Sequence, residues 1–132
     1  MAGEKNILIM SGKESMWKTL KKELVRIGYG VEEVFDRDTG LEQLTDGEFQ
    51  VVLLSSQLSE MECNRTLRRI KETHPSIEVI VLAENSTMRS AFDSMRLGAY
   101  DYLTKPFDLN LVISDIESAI EHCSKHLSLI HI

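Results

Sequence analysis

The sequence predicts an α/β protein: a (βα)5 chain folded as a doubly wound, five-stranded parallel sheet. Three observations carry that expectation. Short apolar runs of strand length alternate five times with longer amphipathic stretches. The runs are apolar throughout rather than at every second residue, as in strands covered on both faces. Glycine or proline closes most of the amphipathic stretches, at Gly28, Gly47, Pro75 and Gly98. A strand–helix alternation of this kind gives a mostly parallel sheet with helices on both faces.

Ile7 to Met10 is the first run, and Ser11 to Ser15 follow as a small polar loop. Met16, Trp17, Leu20, Leu24 and Ile27 then recur at helical spacing until Gly28. Val31 to Phe35 reads as a short strand, with Glu32 and Glu33 suggesting a sheet edge. Asp38 or Thr39 should open a short second helix through Leu41 and Leu44, ending by Gly47. Phe49 to Leu54 is the strongest buried-strand signal. A loop from Ser55 to about Glu60 precedes a helix carrying Leu67 and Ile70, closed at His74-Pro75. Ile77 to Leu82 is the fourth strand. A helix from about Ser86 to Leu97 carries Met88, Phe92 and Met95 on one face, which reads as packing onto the sheet rather than as a cofactor box. Tyr100 to Leu103 is the fifth strand, broken at Lys105-Pro106, and a last helix runs from about Leu109 past Ile120. Residues 1–124 form one domain in this reading, with 125–132 an apolar tail or the start of a linker.

With 132 residues the chain has room for one core without disulfides. A net charge of −6 speaks against a nucleic-acid surface, which needs clustered Lys and Arg. Lys18, Lys21 and Lys22, like Arg65, Arg68 and Arg69, are interleaved with apolar positions and read as solvated helix faces. Cys63 and Cys123 lie far apart without CxxC spacing, as free thiols in a reducing compartment do. The N-terminal apolar run is too short for a signal peptide or a membrane span, and a cytoplasmic protein is expected.

In an open parallel sheet, sites form at the carboxyl ends of the strands, where strand order reverses. The first strand delivers Ser11, Gly12 and Lys13 there, the third Ser55 and Ser56, the fourth Ala83 and Glu84, and the fifth Thr104 and Lys105. The sequence resembles the receiver domains of bacterial two-component response regulators. The resemblance runs from about Glu4 to Cys123. Its most specific piece is LGAYDYLTKPFDLNLV (Leu97 to Val112), which looks like receivers of enhancer-binding transcription activators; IEVIVLAEN (Ile77 to Asn85) and VVLLSSQLSEM (Val51 to Met61) fit the same family. It implies a flavodoxin-like strand order 2-1-3-4-5.

In that family a histidine kinase passes a phosphoryl group to an aspartate after the third strand. An acidic pair after the first strand holds Mg²⁺, and a hydroxyl after the fourth and a Lys after the fifth bind the product. Carried over, the acidic pair falls on Ser11 and Gly12, the acceptor on Ser55, the switch hydroxyl on Ala83 and the lysine on Lys105. Only Lys105 matches. The Lys105-Pro106 bond is expected to be cis, and the switch aromatic falls on Tyr102. A hard cation needs at least one or two carboxylates, so neither metal nor cofactor is expected. Ser55 lacks a base to activate it, because none of the four histidines falls near it in this reading. Glu14, Glu60, Glu62 or Glu84 would have to swing in to rebuild a site. Glu84 is best placed to pair with Lys105, a rim contact contributing roughly 0 to 1 kcal/mol.

The expectation is a non-enzymatic, atypical receiver that signals through protein contacts. The resemblance places a protein partner or a second copy on the surface of the fourth helix, fifth strand and fifth helix, drawing on Met88, Phe92, Met95, Tyr100, Tyr102, Leu109 and Ile113. A downstream output domain would lie outside this chain. The alternative is a small-ligand domain holding a nucleotide, a flavin or an anion through Lys13, Lys105 and the amides of Gly12 and Lys13. One glycine and no GxxxxGK[ST] make SGKES a tight loop more readily than a phosphate cradle. A conventional phosphorylated receiver fits least. His122 and His126 have i, i+4 spacing but only two ligands on one face, so a solvated helix end is expected there instead of zinc.

Overall fold

The uninterrupted apolar runs become the central strands of the sheet, and the glycines expected as stops end helices. The computed structural model describes residues 7–10, 16–55, 60–83 and 87–130. The elements follow in strict alternation: β1 (Ile7–Met10), α1 (Met16–Ile27), β2 (Val31–Val34), α2 (Arg37–Asp46), β3 (Val51–Ser55), α3 (Glu60–Thr73), β4 (Glu78–Ala83), α4 (Met88–Arg96), β5 (Asp101–Thr104) and α5 (Leu109–Ile130). All strands are parallel, in the order β2-β1-β3-β4-β5. The chain winds outward from β1 to β2, then crosses to β3 and winds the other way. The crevice between the carboxyl ends of β1 and β3 is therefore the switch point.

Two cores sandwich the sheet. On one face Leu8, Val52, Leu54, Val79 and Val81 pack with Leu44, Leu67 and Ile70. On the other, Ile7, Ile9, Val51, Leu53 and Ile80 pack with Trp17, Leu20 and Leu24 of α1 and Val112, Ile116 and Ala119 of α5. The central strands β1, β3 and β4 are buried along their whole length, whereas the edge strands β2 and β5 are only partly covered. That difference is why continuous hydrophobicity marked the former and failed to bound the latter.

Several boundaries move. The second helix starts at Arg37, because Asp36 caps it: its Oδ1 accepts from the Thr39 amide at 2.8 Å. The β2 strand stops at Val34 and leaves Phe35 exposed. Phe49 is buried but precedes β3, and β5 begins at Asp101 after the Tyr100 amide has bonded the Val79 carbonyl at 2.7 Å. Gly28 leaves α1 with φ +122°, a backbone region that side chains disfavour. No helix of the described residues is long and apolar enough to cross a membrane.

Candidate functional site

The register of the sheet sets the rim. Ser55 pairs with Leu82, and Ala83 pairs with Thr104, so the carboxyl ends of β3, β4 and β5 climb in single-residue steps. Ser55 and Ala83 are buried, with 3% and 0% of their surface exposed. Lys105 and Thr104 are exposed. The Lys105 amide donates to the Ala83 carbonyl at 3.2 Å, which ties the end of β5 to the end of β4. The Lys105-Pro106 peptide is cis. Among the described residues, then, β3 and β4 end on a hydroxyl and a methyl, with a lysine at the end of β5. Ser11, Gly12, Lys13, Glu14, Ser56 and Glu84 lie outside the described residues, as does the side chain of Glu60. Glu62 is exposed on the first turn of α3.

Tyr102 leaves the rim for the neighbouring helix. Its ring packs half-buried on the core, and its hydroxyl hydrogen-bonds Ser90 Oγ at 3.1 Å. Ser90 Oγ also donates to the Thr87 carbonyl at 3.0 Å. Thr87 and Ser90 also form a reciprocal capping box at the start of α4, the threonine hydroxyl taking the Ser90 amide at 3.0 Å and the serine hydroxyl taking the Thr87 amide at 3.1 Å. Tyr102 thus rides on the first turn of α4.

That same link corrects the reading of α4. With Ser90 and Ser94 as its buried residues, the stripe of Met88, Phe92 and Met95 points away from the sheet, not onto it. Met88 is 93% exposed and Phe92 61%. Conversely Tyr100, Leu109 and Ile113 pack half-buried against the α1/α5 core, so they contribute less to an outer surface than their spacing suggested. Leu111, which the spacing did not single out, is exposed on α5. Beside it an open recess of about 210 Å³ is lined by Tyr102, Pro106 and Phe107 among others.

Two charged constellations escaped the sequence reading. At β5, Asp101 and Asp115 of α5 share a hydrogen bond, and burial together with the Asp101 charge pushes the Asp115 carboxyl up to about 7. Asp101 Oδ1 accepts from the Tyr102 amide at 2.7 Å, while the buried Asp115 Oδ2 has no hydrogen-bond partner among the described residues. The available signal was an Asp one residue before the buried Ile116 on an amphipathic helix. At the amino end of the neighbouring strand, buried Glu78 opens β4 between two helices. His122 Nδ1 of α5 hydrogen-bonds Glu78 Oε2, and Lys71 Nζ of α3 lies 3.5 Å from Oε1 while donating to the Pro75 and Ile77 carbonyls. His122 is therefore tied to the sheet rather than merely solvated. Its ring also lies 5.6 Å from that of Tyr100. The side chain of His126 lies outside the described ones. Among the described residues no cluster of three metal-ligating side chains occurs. Cys63 and Cys123 are buried and form no disulfide; burial and the Glu78 charge push the Cys123 thiol up.

A five-stranded sheet in this order, with its lysine and cis-proline turn after β5, defines a receiver-type α/β domain. Residues 7–117 match the response regulator receiver domain family, and the chain belongs to it. It is 29% identical over 120 residues to the transcriptional regulatory protein ZraR of Salmonella typhimurium, covering 91% of this chain and 27% of that protein. With the transcriptional regulatory protein YkoG of Bacillus subtilis it shares 30% over 115 residues, covering 87% of this chain and 50% of that one. The chain thus spans between a quarter and a half of these relatives' length. Its fold superimposes on a CheY-like receiver from Methanospirillum hungatei with a TM-score of 0.84 at 22% identity, covering 94% of this chain and 99% of that one. The receiver domain of NtrX from Brucella abortus gives 0.79 at 27%, covering 88% and 98%.

Proposed function

We propose that this receiver signals through protein–protein contacts without aspartyl phosphorylation. One observation carries the reading: the residue that ends β3, where the family's acceptor carboxylate falls by resemblance, is the buried Ser55. A serine hydroxyl is a far weaker nucleophile than the carboxylate the family uses there, and a magnesium ion without carboxylates loses more hydration than it regains. Ala83 then offers no hydroxyl to follow a phosphoryl group, and Tyr102 is already committed to Ser90. In sequence, the positions matching the acidic pair are Ser11 and Gly12. Lys105 is kept as a rim cation, and the α4–β5–α5 edge supplies the apolar surface for a partner or an attached output domain.

Titration with beryllofluoride and Mg²⁺, followed by amide NMR, tests this directly. Unchanged resonances for Ser55, Ala83, Tyr102 and Lys105 at millimolar ligand are expected. Saturable shifts at those positions, or magnesium-dependent labelling by acetyl phosphate, would overturn the proposal.

A further inference from the structure

His122 and His126 stand four residues apart on α5, which is helical through Ile130, so the two positions lie one turn apart on the same helix face. Spacing alone makes that pair a solvated helix end. The fold adds a carboxylate behind one of the rings. His122 Nδ1 hydrogen-bonds Oε2 of Glu78, the first residue of β4, whose side chain is only 7% exposed. The His122 side chain itself remains 59% exposed.

The partner decides which nitrogen carries the proton. A carboxylate only accepts, so the hydrogen in this bond belongs to Nδ1. In the neutral ring the lone pair is then on Nε2. Glu78 is fixed from its other side as well: Lys71 Nζ lies 3.5 Å from Oε1 while donating to the Pro75 and Ile77 carbonyls. That ammonium supplies the counter-charge a buried carboxylate needs. The Tyr100 ring flanks the imidazole at 5.6 Å. Proteins prepare metal-binding histidines in this way, because the carboxylate sets tautomer and ring orientation and makes the coordinating nitrogen more basic.

We infer that His122, through Nε2, and His126 bind one divalent transition-metal ion on α5, with Glu78 as the carboxylate that positions His122. Imidazole nitrogens suit zinc, copper or nickel, whereas magnesium and calcium take oxygen ligands. Two protein ligands leave the other positions of a tetrahedral zinc ion to water or to a ligand from outside. Among the described residues no cluster of three ligands occurs, so the ion is held less tightly than in a closed structural site. Cys123, the next residue along the helix, is buried and takes no part. The site lies at the amino end of β4, whereas Ser55 and Ala83 end their strands, so it stands whether or not the rim accepts a phosphoryl group.

Titration of the whole chain with zinc alone, followed by calorimetry and by imidazole nitrogen NMR above neutral pH, tests this. One ion per chain should bind saturably below millimolar zinc. Before zinc is added, His122 should carry its proton on Nδ1; with zinc, the Nε2 resonances of His122 and His126 should move. His122→Ala and His126→Ala should each abolish saturable binding. Replacing the other two histidines together, His74→Ala with His131→Ala, should leave it unchanged. Glu78→Gln keeps both ligands and should bind about ten- to a hundredfold more weakly. Should that variant not fold, the tautomer of His122 in the unsubstituted protein decides the role of Glu78. Heat that does not saturate by millimolar zinc, a His126→Ala chain that binds as tightly as the original, or loss of binding on removing His74 and His131 would refute the site. An Nε2-protonated His122, or full affinity in Glu78→Gln, would refute the part given to Glu78.

Discussion

Helices α1 and α4 carry the same kind of apolar periodicity and point it in opposite directions. In α1, Trp17, Leu20 and Leu24 are buried against Ile7, Ile9, Val51 and Leu53, over the middle of the sheet. In α4 the large apolar residues face solvent, and the helix meets the protein through Ser90 and Ser94. Periodicity states where an apolar stripe lies on a helix, but what lies beneath the helix decides whether that stripe is covered. Central strands supply α1 with a broad apolar floor. The fourth helix packs on α3 and on β5, a four-residue edge strand, and it is held by hydroxyls: the Thr87–Ser90 capping box and the phenol of Tyr102.

The largest effect is expected where α1 is anchored. Leu24 is fully buried, and Leu24→Ala removes three carbons from the core. A loss of about 3 kcal/mol is expected, read as a lower urea midpoint at unchanged slope. A loss below about 1 kcal/mol would mean that α1 is no better anchored than α4.

A smaller effect is expected at the inner face of α4. Ser90→Ala removes the hydroxyl that takes the Thr87 amide and meets the Tyr102 phenol, leaving the helix its threonine cap. About 1 kcal/mol should be lost, and Tyr102→Phe should cost less in the wild-type background. Because both substitutions cut the same bond, their combination should cost less than the sum of the single changes. Strict additivity in a double-mutant cycle would show that the bond holds nothing.

Much of this architecture was legible for a physical reason. Parallel strands buried on both faces must be apolar throughout, so Ile7–Met10 and the run from Phe49 to Leu54 could be recognised and the alternation counted. Gly28 and Gly98, both at positive φ, end α1 and follow α4 where a left-handed residue is required. The rim positions followed from the strand ends, and Ser55, Ala83 and Lys105 stand at or just past them. What stayed hidden depends on partners distant in sequence. Glu78 sits inside what reads as an apolar strand, and only the fold brings Lys71 and His122 to it. Asp101 and Asp115 look like ordinary surface acids until β5 and α5 are juxtaposed. The outward turn of Phe92 could not be read from its own helix either, because Ser90 and Ser94 at i and i+4 carry no hydrophobic signal.

The smallest effect on folding is expected at the outer face of α4, and it separates the two helices most cleanly. Phe92 keeps 61% of its surface in water, so Phe92→Ser gives up little burial, and the helix propensities of the two residues are close. Stability should change by no more than about 0.5 kcal/mol. A stability loss approaching that of Leu24→Ala would show that another part of the same chain covers Phe92 in solution. In that case α4 would be an ordinary core helix, and the contrast with α1 would vanish.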